Sequence, residues 1–385
     1  MYTRGASLAF LAVVGLRGLY AQQAPSLAEL QSRARADSND PVVHYALAQA
    51  YLQAKRDDSA RRSLETAILI DREFAPAYLL LGRIEVARLP APVITLLRAN
   101  GQIRFVRLRG PAAVDPGATR DSSELLFRRA FLLDPLQEMY PATAEDMPMV
   151  WRETLGHALR EYRRDHYDAA AAIFDTVIIQ SDRRHKPPPP AALWYHALTE
   201  IGLQRFDTAI DDMERLLDRA MRDSTVFADY ASRNVRYTLA FLNQRAGRYE
   251  EAERLYRQII EEDLSLDLAH LQLANIYEAQ QRWAEAVQER RAALAVATGD
   301  PTLLYDLGVT LLDAGQAAEA ADTLRRVVAL NPRESRASYM LGIATARLGR
   351  YQEARDAYGR FLQLAPSRYA DMVADAKARL AHLPN

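Results

Sequence analysis

Cysteine is absent from the chain. Disulfides, thiolate metal sites, a cysteine nucleophile and a lipid-modified cysteine are therefore excluded. Lysine is nearly absent, occurring only at Lys55, Lys186 and Lys377, so arginine carries the positive charge. Neither sign is in excess: 49 basic against 50 acidic residues leave a net charge of -1, which gives no global attraction to nucleic acid or to a membrane surface. The short motifs of catalysis are missing as well, with no His-Glu-x-x-His, phosphate loop, Gly-x-Ser-x-Gly or dinucleotide fingerprint. Long apolar runs are lacking. Ala6 to Leu16 is too short to span a bilayer, which takes about 20 residues. With Arg4 before it and Gly18-Leu19-Tyr20-Ala21 after it, the run reads as a secretory signal cleaved after about Ala21. The expected location is periplasmic or secreted, with no membrane span in the mature chain.

What is present is a period. From Arg233 onward the chain repeats every 34 residues. Leucine and a small residue recur at Leu239-Ala240, Leu273-Ala274, Leu307-Gly308 and Leu341-Gly342. Alanine recurs at Ala252, Ala286, Ala320 and Ala354. One slot reads Tyr249, Trp283, Ala317 and Tyr351, and another Gly247, Gly315 and Gly349, with Gln281 the exception. A fixed period of this length means stacked copies of one supersecondary unit. At 385 residues the chain exceeds the size at which a single core stops growing, about 250–300 residues. A solenoid escapes that limit because each unit packs only on its neighbours.

These slots resemble the tetratricopeptide repeat family, whose unit is two antiparallel helices in 34 residues. Asp134-Pro135, Asn331-Pro332 and Ala365-Pro366 sit where that family places a proline after the second helix. The resemblance implies an all-α fold, a right-handed α-α superhelix. Tracing the slots upstream predicts eight helix pairs. The expected divisions are a signal at 1–21, a capping helix within 22–40, repeats over 41–184, a proline spacer at 185–190, and repeats with a final cap over 190–385.

One segment, about 89–120, breaks the pattern. Val93 to Arg98 and Ile103 to Leu108 are β-prone, and Asn100-Gly101 between them favours a two-residue hairpin turn. A hairpin inserted between two helices is expected. Ile94, Leu96, Ile103 and Phe105 would share one face, and Val93, Leu97, Val106 and Leu108 the other. A lone hairpin is marginal in water, so it should be covered by its own solenoid, or by a partner or second copy. Arg98, Arg104, Phe105 and Arg107 are the candidate contacts.

The family lines its concave groove with first helices. Carried onto this chain, the fifth residue of a unit and those four and seven later give Tyr45 and Gln49, Trp194 and Leu198, then Tyr237, Phe241 and Gln244. Leu271, Asn275 and Glu278 follow, with Tyr305 and Tyr339 closing the series. Such a stripe suits a protein or peptide partner, since aromatic side chains give large contact at low entropic cost. Tyrosine at that place also serves packing between units, so both readings stand. Some family members hold a carboxylate through Lys and Asn on consecutive inner helices; only Asn275 matches, and that activity is not carried over. His157 and Glu161 lie one helical turn apart with His166 beyond, a spacing that can hold zinc. His157 and His196 fall in the slot of Leu273 and Leu307, however, and are expected to be core histidines. The expected function is an exported scaffold with no cofactor, no metal and no catalysis, of use in envelope assembly or maintenance. A carbohydrate-binding module is the alternative, and a hydrolase built on His157, Glu161 and His166 a third.

Overall fold

Alanine and leucine at helical spacing, with no proline beyond the first turn of any described helix, leave little but helix available to the repeats. A computed structural model describes residues 25–87, 95–99, 102–106, 126, 129–130, 132–135, 148–222, 232–263 and 267–384. The signal at 1–21, most of the insertion over 89–120 and Arg107 lie outside the described residues. The helices are α1 (Leu27–Ala36), α2 (Pro41–Gln53), α3 (Asp57–Ile70), α4 (Ala75–Ala87), α5 (Arg152–Arg163), α6 (Tyr167–Arg183), α7 (Pro190–Gly202) and α8 (Phe206–Arg222). They continue as α9 (Ser232–Arg245), α10 (Tyr249–Glu262), α11 (Asp267–Ala279), α12 (Trp283–Val296), α13 (Pro301–Asp313), α14 (Ala317–Leu330), α15 (Ser335–Arg347), α16 (Tyr351–Leu364) and α17 (Ala370–His382). Helices α2/α3, α5/α6 and each later pair through α15/α16 pack as hairpins. The aromatic or alanine slot at 249, 283, 317 and 351 is the first residue of each second helix.

Helix starts are encoded locally. Ser26 accepts from the Glu29 amide at 3.3 Å, Asp40 from Val42 at 2.9 Å and Asp300 from Thr302 at 2.8 Å. The last two precede a proline at the first helical position, where the missing N–H is no loss. The turn inside each hairpin is equally regular. Lys55, Asp165, Gln204, Gly247, Gln281, Gly315 and Gly349 all have positive φ, between 55° and 77°. In each, the next amide reaches back five residues, as Arg248 N to Asn243 O and Arg282 N to Tyr277 O do, both at 2.8 Å. This closes the helix on a left-handed residue. Gln281 therefore keeps the conformation that glycine adopts in its sister repeats. A side chain there costs about 1–2 kcal/mol, against glycine's entropic penalty of about 0.5–1 kcal/mol. Gln281→Gly should raise stability by about 0.5–1 kcal/mol, read as a higher urea midpoint; no gain would mean that the strain at this turn is relieved elsewhere.

Cores form where the small slots meet. Ala252, Ala286, Ala320 and Ala354 are fully buried, as are Ala240 and Ala274. At Gly308 and Gly342 an added Cβ would lie 2.7 Å from Leu324 and 2.6 Å from Tyr358. Small residues are therefore what lets the paired helices approach this closely.

The packing forms two compact units. The first takes residues 1–89, 114–133 and 297–385; the second takes 90–113 and 134–296. Residues 185–190 fall within the second, where the Arg219 guanidinium donates to the Pro188 carbonyl and Pro190 opens α7. Two strands, β1 (Thr95–Ala99) and β2 (Gln102–Val106), pair antiparallel in the register Leu96↔Phe105, Leu97↔Arg104 and Arg98↔Ile103. No described helix is long and apolar enough to cross a membrane.

Candidate protein-binding surface

The first helices of the second unit carry most of the candidate positions. Trp194 on α7, Phe241 and Gln244 on α9, and Asn275 and Glu278 on α11 are half-buried. Leu198 and Leu271 are buried in the core at 5% exposure. Tyr237 corrects the expectation of a groove-facing stripe: it is only 1% exposed, its ring edge-on to Tyr256 at 5.5 Å. Tyr339 in the first unit needs the same correction. It is 1% exposed, packs on Tyr358 and Phe361, and donates its hydroxyl to Asp375 at 2.5 Å. The physical reason is area: a phenol ring at a helix crossing gains more from burial than from projecting into water. Tyr45 lies half-buried against Phe74 at 5.6 Å, and Gln49 is exposed. Tyr305 is half-buried beneath the Arg336 guanidinium, 4.9 Å from its ring centre. Burial pushes the Tyr305 phenol well above its ordinary range. Of the hairpin candidates, Arg98 and Phe105 fall at paired positions on facing strands with Ile103 and Leu96.

One side chain beneath these positions escaped the sequence reading. Arg290 on α12 is 2% exposed and binds two of the candidates at once. Its guanidinium donates to Asn275 Oδ1 at 2.6 Å and to Glu278 Oε1 at 3.2 Å. The Asn275 amide in turn donates to Gln272 at 3.2 Å. Asn275 and Glu278 are thus fixed in position from below. The signal was there: Arg290 sits in the slot that the sister repeats fill with Tyr256, Leu324 and Tyr358. In the neighbouring repeat Gln244 accepts from the Tyr256 hydroxyl at 3.2 Å.

The histidines divide. His196 is buried at 3% exposure, as expected of a core residue, while His157 is not: its side chain is 56% exposed. Helix α5 turns Leu155, Gly156, Ala158 and Leu159 inward, which leaves His157 on the outer side. His166 Nδ1 lies 2.8 Å from Glu161, and that hydrogen bond holds the half-buried Glu161 carboxyl below its usual range. Among the described residues no three His, Asp or Glu side chains form a metal-binding group.

His196 carries a pH dependence. Its Nδ1 is 2.6 Å from Asp212, and Nε2 lies 3.5 Å from Asp175 and 3.6 Å from Glu200. Burial alone would push the imidazole down, but the Asp212 hydrogen bond and the three carboxylate charges outweigh it and raise its pKa above 6.5. A raised folded-state pKa means that the folded form binds the proton more tightly. The resulting stability is fully present below about 6.5, the free histidine value, and is lost as pH rises through the folded value. Replacing both His196 and Asp212 by leucine recreates the Leu239/Leu255 pair of the next repeat. That double variant should flatten the fall in urea midpoint between neutral and alkaline pH; an unchanged slope would assign it to other groups.

The geometry defines a class before it defines a family: paired antiparallel helices, closed by left-handed turns and stacked through small residues. A tetratricopeptide repeat model matches residues 155–224, 237–301 and 305–369, and another matches 42–74. The chain belongs to the tetratricopeptide repeat family. Among solved structures it is similar to the C-terminal part of a TPR repeat-containing protein from Cytophaga hutchinsonii, at 17% identity and a TM-score of 0.48, covering 60% of this chain and 87% of that one. MamA from Desulfovibrio magneticus RS-1 is similar at 15% identity and a TM-score of 0.40, with 47% and 97% covered. YrrB, a TPR protein with an unusual peptide-binding site, shares 14% identity at a TM-score of 0.39, with 53% and 97% covered. No curated protein matches the chain.

Proposed function

We propose that the chain is an exported, non-catalytic scaffold that captures a protein or peptide through the first helices of its second unit, in the service of envelope assembly or maintenance. One observation carries the reading. Trp194, Phe241, Gln244 and Asn275 stay half-buried on three successive first helices, Phe241 and Asn275 in the same slot, and Arg290 and Tyr256 hold Asn275 and Gln244 in place. Side chains fixed in advance lose little entropy when a ligand arrives. Capture then needs no conformational change: an extended segment lies across the helices, its apolar side chains against Trp194 and Phe241, its backbone amides and carbonyls against Gln244 and Asn275. Export rests on the Ala6–Leu16 run.

The test is recovery of a partner from the envelope fraction with tagged chain. Trp194→Ala with Phe241→Ala should reduce recovery at least tenfold while the helical melting curve changes little. Unchanged recovery would move the site away from these helices, and a photoreactive residue at Phe241 against one at Phe105 would show whether the insertion makes the contact instead. Tagged chain found only in the cytoplasm would overturn export.

A further inference from the structure

Two buried asparagines, both in turns, reach across the first unit. Asn331, after α14, donates through Nδ2 to the Leu69 carbonyl at 3.1 Å, across 262 residues of sequence. Asn39, after α1, donates to the Leu364 carbonyl at 2.9 Å, across 325 residues. Leu69 is the penultimate residue of α3 and Leu364 the last of α16. Carbonyls in the last turn of a helix have no partner within it. Each asparagine therefore caps the open end of a repeat's second helix from a distant part of the chain.

Charge reinforces both contacts. Asp37 accepts from the Ser367 amide at 3.0 Å and its hydroxyl at 2.6 Å. Arg368 lies 3.5 Å from Asp40, and Arg72 lies 3.6 Å from Asp300. The two acids are already fixed as the caps of α2 and α13. Ile70 and Arg72 border a cavity of about 10 Å³ with Tyr305, Asn331 and Arg336, room for one water at most. Beside it an open cleft of about 380 Å³ runs past Arg72, Asp300, Pro301 and Leu330. The turn Leu69–Arg72 therefore fills part of a larger recess on the C-terminal repeats. Its side chain–carbonyl bonds and partly exposed ion pairs are each of small worth, which makes this contact open to exchange.

We propose that the face carrying Asp300, Tyr305, Asn331 and Arg336 is a recognition site for the C-terminal end of an α-helix bearing a basic residue three positions on, occupied in cis by the chain's own first repeat. The open carbonyl goes to Asn331 and the basic side chain to Asp300, as Leu69 and Arg72 do now. This deepens the protein-binding reading and rests on it, but it concerns a separate surface. A partner that ends a helix in this way displaces the first repeat, so binding there is coupled to release of the Asp37–Asn39 contact.

The probe is a fluorescein-labelled peptide of residues 57–74, titrated into the full chain and followed by anisotropy. Asp37→Ala with Asn39→Ala loosens the resident repeat without touching the site. A site free one-tenth of the time binds about tenfold more weakly than an open one. The loosened variant should therefore bind the probe about tenfold more tightly than the unsubstituted chain. Adding Asn331→Leu should abolish the gain, and Arg72→Ala in the probe should reduce it. In the unsubstituted chain, excess probe should speed amide exchange over Leu364 to Tyr369, which requires no variant to fold. No gain on loosening, a gain that survives Asn331→Leu, or exchange unmoved by probe would each overturn the proposal. Capture through Trp194 and Phe241 is untouched by these changes, so failure of either reading is seen separately.

Discussion

Glu278→Ala is expected to destabilise the second unit by about 3–5 kcal/mol, the cost of removing one member of a buried ion pair. Arg290 and Glu278 have side chains only 3% and 8% exposed, their charged groups 3.2 Å apart. With the carboxylate gone, Asn275 remains at 2.6 Å, but an amide oxygen offers a hydrogen bond and no charge. The guanidinium cannot escape by losing its proton. The contrast is a double change, Arg290→Leu with Glu278→Leu. It restores the aliphatic slot seen at Leu324 and should fall within about 1 kcal/mol of the unsubstituted chain, or above it, because a well-packed apolar pair commonly matches a buried ion pair. Urea unfolding of both variants decides the matter. A loss under 1 kcal/mol for Glu278→Ala would mean that another anion or water reaches Arg290. The double variant also separates fold from function. It keeps the core while freeing Asn275 from its clamp, so weaker partner capture by a protein of unchanged stability would show that the pair serves the surface.

The ease of reading the fold and the difficulty of reading the site have one origin. Helix ends, turns and crossings are local, and the 34-residue period compares four turns with one another, at 247, 281, 315 and 349. Gly247, Gly315 and Gly349 mark a left-handed turn so firmly that Gln281, Lys55 and Gln204 can be placed in the same conformation. Burial of a slot is not local. Tyr237 and Trp194 hold the same position in their repeats, yet one is in the core and the other half-exposed, because the neighbouring second helix offers Tyr256 in one case and a different surface in the other. Arg290 stayed hidden because a charge on a helix normally means a solvated face. Only comparison with Tyr256, Leu324 and Tyr358 marks it as a buried one. The contacts of Asn39 and Asn331 lay beyond any period. They join turns more than 260 residues apart through single hydrogen bonds that leave no pattern in composition.

Gly342→Ala is the sharpest test of how the stack closes. The new methyl would lie 2.6–2.9 Å from three atoms of the Tyr358 ring, and that ring is fully buried against Tyr339. An aromatic ring held on both sides cannot rotate away, so the helices must separate. Overpacking of this kind costs about 1–3 kcal/mol. Gly308→Ala meets Leu324 instead, at 2.7 Å, and a leucine can change rotamer, so its cost should be the smaller of the two. Gly359, inside α16, is the internal control, since nothing lies within 4 Å of its added Cβ. There the same substitution should stabilise by about 0.5–1 kcal/mol, the helix advantage of alanine over glycine. One chemical change, made at two positions 17 residues apart in the sequence, is thus expected to have opposite signs. If Gly342→Ala and Gly359→Ala move the melting temperature in the same direction, close approach at the Leu-Gly slot is not what sets the spacing of α15 and α16, and the size of residue 342 is free to vary.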